Sequence, residues 1–171
     1  IYLPISKAIE IGKYMEEYNI DFYEEPVPWE DFAGTKAVND ALSMPVVGGE
    51  QDHNMFKWQW MIEKKGFDTV QPDIMYNGGF IRTIKVAEMA RKKGINCTLH
   101  SPKRNGIAAY MLHFASITSN IGEFQEWSAK QGGSTKLSPE FAVVDGKVSV
   151  PTGPGFGVDY DQDYMSKFKS I

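Results

Sequence analysis

An α/β fold of parallel strands joined by helical crossovers is predicted for this chain, and three features of the sequence predict it. Glu24, Glu50, Asp73, His100 and Glu126 each close a short apolar run, and they are separated by 26, 23, 27 and 26 positions. A strand of about five residues, a helix of about twelve and two short connections fill such an interval, and parallel strands require a crossover of that length. Segments with helical periodicity lie between the runs, and glycine and asparagine mark the joints. In a βα barrel the carboxyl ends of parallel strands converge on one face, so these five polar residues are expected to meet as one cluster.

The elements follow in order. Ser6 is placed to cap a helix whose Ala8, Ile11, Met15 and Tyr18 share one face, and Asn19 closes it before a strand over Ile20 to Tyr23. A second helix, roughly Phe32 to Leu42, leads to a strand over Pro45 to Gly49. A third begins near Asn54, carries Phe56, Trp60 and Met61, and stops at Gly66, which reads as the glycine just past a helix end. The strand Thr69 to Pro72 follows. Gly78 and Gly79 then open a helix with Ile81, Ile84, Ala87 and Ala90 on one face, ended by Gly94. Ile95 to Leu99 is the next strand, and a helix from about Gly106 to Ile117 precedes a fifth strand over Ile121 to Gln125. Beyond it the alternation stops. Phe141 to Val144 and Lys147 to Val150 flank Asp145-Gly146, a two-residue hairpin signal, and Pro151, Pro154 and their glycines make an irregular tail.

Composition narrows the function classes. Of 171 residues 42% are hydrophobic, enough to bury a core, and the net charge of −4 offers no broad attraction for phosphate backbones. No nucleic-acid partner is expected. The single cysteine, Cys97, lies inside an apolar run and reads as a small buried thiol, so there is no disulfide framework. No apolar stretch reaches membrane-spanning length and no signal core opens the chain, so the expectation is a cytoplasmic protein with no membrane partner.

Glu24 and Glu50 close consecutive strands. Neighbouring parallel strands lie about 5 Å apart, close enough for two carboxylates to share one hard divalent cation. Asp73 and His100 also close adjacent strands, where a carboxylate can orient an imidazole for acid or base work. His53 sits at a helix start and His113 within Tyr110 to Phe114, both read as structural. Glu126 closes the last strand on the far side of the mouth from Glu50, suited to holding a proton or donating to a substrate oxygen.

Tyr23-Glu24-Glu25-Pro26, Gly49-Glu50-Gln51, Gln71-Pro72-Asp73, Asn77-Gly78-Gly79, Leu99-His100-Ser101-Pro102 and Phe124-Gln125-Glu126 resemble, in order and spacing, the second half of the mandelate racemase group of the enolase superfamily. The ending from Pro151 to Val158 is similar as well. The resemblance implies the last five strands of a modified TIM barrel, (β/α)7β, with a C-terminal tail carrying a β-hairpin. Residues 1–134 would be the barrel part and 135–171 a segment packing on a capping domain. It further implies Mg²⁺ held by Glu24, chosen over Glu25, and by Glu50. It assigns His100 and Asp73 as a catalytic dyad and Glu126 as the group assisting the substrate carboxylate, and it implies a homo-oligomer. The family's third metal ligand, its Lys-x-Lys base and its capping domain would all precede Ile1.

The implied reaction is abstraction of the proton α to a carboxylate. Dehydration of a sugar acid is preferred, because Lys103, Arg104 and Asn105 follow His100 and offer donors to a polyhydroxy chain or a distal carboxylate. Racemisation or epimerisation of a 2-hydroxy acid is the alternative. A cycloisomerase is disfavoured because its usual lysine has no match where His100 stands. A catalytically silent relative and a carboxylate-rich aldolase also stay open, to be separated by Mg²⁺ binding and by retro-aldol assay.

Overall fold

Four short strands form one parallel sheet in the order β1-β2-β3-β4: Tyr23–Glu24, Val46–Gly48, Thr69–Val70 and Asn96–Cys97. The computed structural model describes residues 3–101, 106–127 and 137–167. Strand register is Glu24↔Val47, Gly48↔Val70 and Val70↔Cys97, and each crossover is a helix, as the spacing predicts. The crossovers are α2 (Phe32–Ala41), α3 (Met55–Glu63) and α4 (Phe80–Lys92), with α1 (Ile5–Glu16) before β1. Val46, Val70 and Cys97 from the strands are buried, as are Ala8, Val38, Trp58, Met61, Val86 and Ala90 from the helices. Burial pushes the Cys97 thiol up to about 12, which keeps it unreactive.

Local chemistry sets the helix ends. The Asp31 side chain accepts from the Gly34 amide at 2.8 Å and that of Asn54 from the Phe56 amide at 2.9 Å, each satisfying an otherwise orphaned donor. Two expectations are corrected here. Helix α1 starts after Pro4, whose carbonyl receives the Lys7 and Ala8 amides, and Ser6 lies inside it. At the end of α3 the left-handed residue is Lys65, φ +53°, with Gly66 one position later. Gly66 donates to the Met61 carbonyl at 2.7 Å and Lys65 to that of Ile62 at 3.2 Å, the paired bonds of a Schellman end. Helix α4 closes the same way with Gly94 in the left-handed place, φ +70°.

The fifth strand expected over Ile121 to Gln125 is reduced to a single parallel bridge, Cys97↔Ile121. Asn120 prepares it, its Nδ2 donating to the Ile95 carbonyl at 2.8 Å and to that of Ala87 at 3.2 Å. After Gly122 the chain turns on itself. Gln125 Nε2 donates to the Gly122 carbonyl at 2.8 Å, a local bond that competes with strand pairing.

By its contacts the chain divides into two units. The first comprises residues 3–100 and 118–125 and holds the parallel sheet. The second includes α5 (Gly106–Ile117), β5 (Leu137–Ser138), β6 (Val143–Val144), β7 (Lys147–Val148), β8 (Asp159–Tyr160) and α6 (Gln162–Met165). Its core is Ala108, Ala109 and Phe141 with Leu112, Trp127, Val148 and Val158 packed against them. The predicted hairpin is present: β6 and β7 pair across Asp145 (φ +50°) and Gly146 (φ +72°), the two left-handed residues of a type I′ turn. Strand β5 pairs antiparallel with β8. Among the described residues no helix is long and apolar enough to cross a membrane.

One glycine before the site is sterically required. Gly49 has φ +110°, and a Cβ there would lie 2.3 Å from Trp58 Cη2. Trp58 cannot retreat, because it is fully buried and its Nε1 donates to Asn77 Oδ1 at 3.0 Å. Gly49→Ala is expected to lower unfolding free energy by about 2–4 kcal/mol, combining overpacking with an unfavourable φ. Urea denaturation checks it, and a loss below about 0.5 kcal/mol would show that the Trp58 contact is not rigid.

Candidate active site

The first unit brings Glu50, Asp73 and His100 together. Asp73 Oδ2 lies 3.0 Å from His100 Nδ1, and Glu50 Oε2 lies 3.1 Å from His100 Nε2. Asp73 is 2% exposed and His100 12%, so the pair sits out of bulk solvent. An ionised carboxylate only accepts, so Nδ1 carries a proton and donates to Asp73. The other ring nitrogen, Nε2, is left facing the Glu50 carboxylate.

Asp73 is fixed from its other oxygen. Its Oδ1 accepts from the Met75 amide at 2.7 Å and from the Tyr76 amide at 3.0 Å, an Asx turn that anchors the loop into α4. That turn also places Tyr76, whose ring stacks on His100 at 6.4 Å and 29°. Sequence reasoning missed Tyr76, although an Asp followed closely by two glycines is a turn signal.

Glu24 closes β1 and is exposed, one strand from Glu50 in the parallel register. Its neighbour Glu25 turns away through a left-handed backbone, φ +42°, and its Oε1 accepts from the Gly49 amide at 3.2 Å. Burial raises the Glu25 carboxyl above its ordinary range, the Gly49 amide opposes this, and the charges of Glu50, Asp52 and Glu24 raise it further. Negative charge is therefore concentrated at the ends of β1 and β2. Two carboxylates on adjacent strand ends, in an acidic surround, suit a hard divalent ion as part of its ligand set. Among the described residues no three His, Cys, Asp or Glu side chains are set to hold an ion together.

Behind Glu50, Lys57 ties two loops together. Its Nζ lies 2.5 Å from Asp52 Oδ1, also donates to the Trp29 carbonyl, and sits 4.9 Å above the Trp29 ring. Asp52 is 1% exposed, and burial raises its carboxyl while Lys57 opposes that rise.

In the second unit Glu126 is exposed, and its Oε2 accepts from the Ser101 amide. Lys103 and Arg104 fall outside the described residues. His113 Nε2 is 3.1 Å from the Phe156 carbonyl and its ring meets the Phe156 ring at 5.5 Å, a packing contact. His53 presents its carbonyl to Arg82.

A family model described as enolase C-terminal domain-like matches residues 4–164. D-galactarolactone cycloisomerase of Agrobacterium fabrum is 27% identical over 96% of this chain and 46% of its own length. D-galactonate dehydratase family member RspA of Pantoea ananatis is 30% identical over 96% of this chain and 40% of its own. A crystal structure of a candidate racemase from Roseobacter denitrificans superposes with a TM-score of 0.89 at 34% identity, covering 96% of this chain and 47% of that one. The chain spans less than half the length of each of these relatives. With its parallel sheet, its helical crossovers and a match over nearly its whole length, the chain belongs to the enolase C-terminal domain-like family.

Proposed function

We propose that the residues closing β1 to β4 form part of a site that removes the proton α to a carboxylate, and that the reaction is Mg²⁺-dependent dehydration of a sugar acid. The observation that carries this reading is His100 held between Asp73 at 3.0 Å and Glu50 at 3.1 Å. With Nδ1 occupied by Asp73, proton exchange falls to Nε2. Dehydration breaks the α C–H bond and the β C–O bond: a base other than His100, such as the lysine the family resemblance implies, takes the α proton, while His100 Nε2 gives a proton to the departing β oxygen, which leaves as water. Glu24 and Glu50 would hold the ion, whose charge makes the α proton of a bound carboxylate more acidic. Glu126 donates toward a substrate carboxylate oxygen, and Lys103 and Arg104 bind the polyhydroxy chain.

The names of the relatives support sugar acids as the substrate class, among them D-galactonate, L-rhamnonate and arabinonate dehydratases. Racemisation is the second reading, favoured by the likeness to the candidate racemase. There the same nitrogen returns its proton to carbon rather than to oxygen.

Glu50→Gln in the full-length protein separates metal from fold. Turnover is expected to fall at least ~10³-fold and Mg²⁺ affinity to weaken at least ~10-fold, with the melting temperature unchanged or raised because carboxylate repulsion is relieved. Calorimetric Mg²⁺ titration and a sugar-acid screen measure both. Full activity in excess chelator would remove the metal from the account.

A further inference from the structure

Among the described residues one buried acceptor, two positions before Asp73, has no donor. Gln71 lies between β3 and Asp73, and its Oε1 is buried without a hydrogen-bond partner. The strand ladder runs through this residue. The Gln71 amide donates to the Gly48 carbonyl at 2.8 Å, and bonds from Thr98 to Val70 at 3.0 Å and from His100 to Pro72 at 3.3 Å carry the β3–β4 pairing up to His100. Side chains alternate between the two faces of a strand, so Gln71 shares a face with Asp73, about 7 Å deeper along the chain. The register Val70↔Cys97 sets Thr98 beside Gln71 and His100 beside Asp73 on that face. Beneath the His100–Asp73 pair there is therefore a polar step, where branched apolar side chains are the usual filling of a barrel interior.

A buried acceptor left unmet costs about 1–3 kcal/mol, so a donor that reaches Gln71 Oε1 gains that much. An ionised carboxylate cannot be that donor, because it only accepts, whereas an alcohol can. We propose that Gln71 is a specificity-determining residue whose Oε1 accepts a hydrogen bond from one hydroxyl of the substrate, selecting polyhydroxy acids over acids with an apolar chain. The inference rests on the sugar-acid reading above and adds the residue that reads the sugar chain. A site built to pair a substrate hydroxyl discriminates strongly against the analogue that lacks it, because the acceptor is then stranded.

The test is calorimetric binding in the full-length His100→Asn protein, which leaves an intact substrate to titrate. A panel of hexonates, pentonates and aldarates is screened in the presence of Mg²⁺, and singly deoxygenated analogues of the tightest binder follow. Gln71→Leu is expected to weaken binding of the parent acid at least tenfold. One deoxy analogue should bind equally to His100→Asn and to the double variant. Gln71→Asn, which keeps the amide but shortens its reach, should lie between. Equal losses on every analogue would make Gln71 structural only, no loss would mean that its partner is a bound water, and no binding by any acid of the panel would also overturn the proposal. The dehydration reading is judged apart, by turnover of the same acids with His100 intact. Tight binding without turnover removes the reaction and leaves Gln71 in place.

Discussion

His100→Asn is expected to reduce sugar-acid turnover at least ~10³-fold in the full-length protein while changing stability by no more than about 1 kcal/mol, because general acid–base groups contribute 10²–10⁴ in rate. The asparagine amide still donates to Asp73, whose Oδ1 bonds to the Met75 and Tyr76 amides are untouched, so the loop keeps its anchor. What disappears is the second ring nitrogen, Nε2, which faces Glu50 at 3.1 Å. If a separate base removes the α proton, exchange with solvent deuterium survives in this variant while elimination does not. Product formation and NMR exchange measure the two separately. Turnover within threefold of wild type would remove His100 from the chemistry.

Lys57→Met is expected to destabilise the protein by about 3–5 kcal/mol, the usual consequence of stranding one member of a buried ion pair. Asp52 is 1% exposed, its Oδ1 depends on Lys57 at 2.5 Å, and its Oδ2 is already buried without a partner among the described residues. Removing the ammonium also releases the Trp29 carbonyl and a cation lying 4.9 Å from that ring. The loop after β1 and the loop after β2 then lose their tie, and these loops follow Glu24 and contain Glu50. Asp52→Asn in the same chain should recover a large part of the loss, since the two effects share one interaction. Urea denaturation of the two single variants and the double variant gives the coupling. A loss below about 1 kcal/mol for Lys57→Met would mean that Asp52 is held by something else.

The parallel order of the strands was legible because Glu24, Glu50, Asp73 and His100 recur at the interval of one strand and one helix, and that interval reflects chain geometry. The Asp73–His100 contact was legible for the same reason, since residues closing adjacent strands become neighbours. The contact from Glu50 to His100 was not. Glu50 follows β2 and His100 follows β4, so the two meet past β3, and only side-chain length and rotamer decide whether they touch. Helix ends were read correctly where a side chain caps them, as at Asn54, and misread where the backbone closes itself. Lys65 takes the left-handed place beside Gly66 because the Schellman bonds from Lys65 and Gly66 fix which residue turns. The fifth strand shrank because Gln125 hydrogen-bonds its own segment, a competition that hydrophobic pattern does not register. Lys57 and Asp52 escaped notice because their spacing matches neither a helical nor a strand repeat.

The central claim is that these strand ends perform metal-assisted chemistry at the carbon next to a carboxylate. It is tested most directly by proton NMR of the full-length protein in D₂O with Mg²⁺ and a panel of sugar acids. The account predicts loss of the α-proton signal with formation of a 2-keto-3-deoxy acid for at least one member, and loss of both in Glu24→Gln, Glu50→Gln and excess chelator. Exchange and product formation that persist in all three, or their absence with every acid tested, would contradict it.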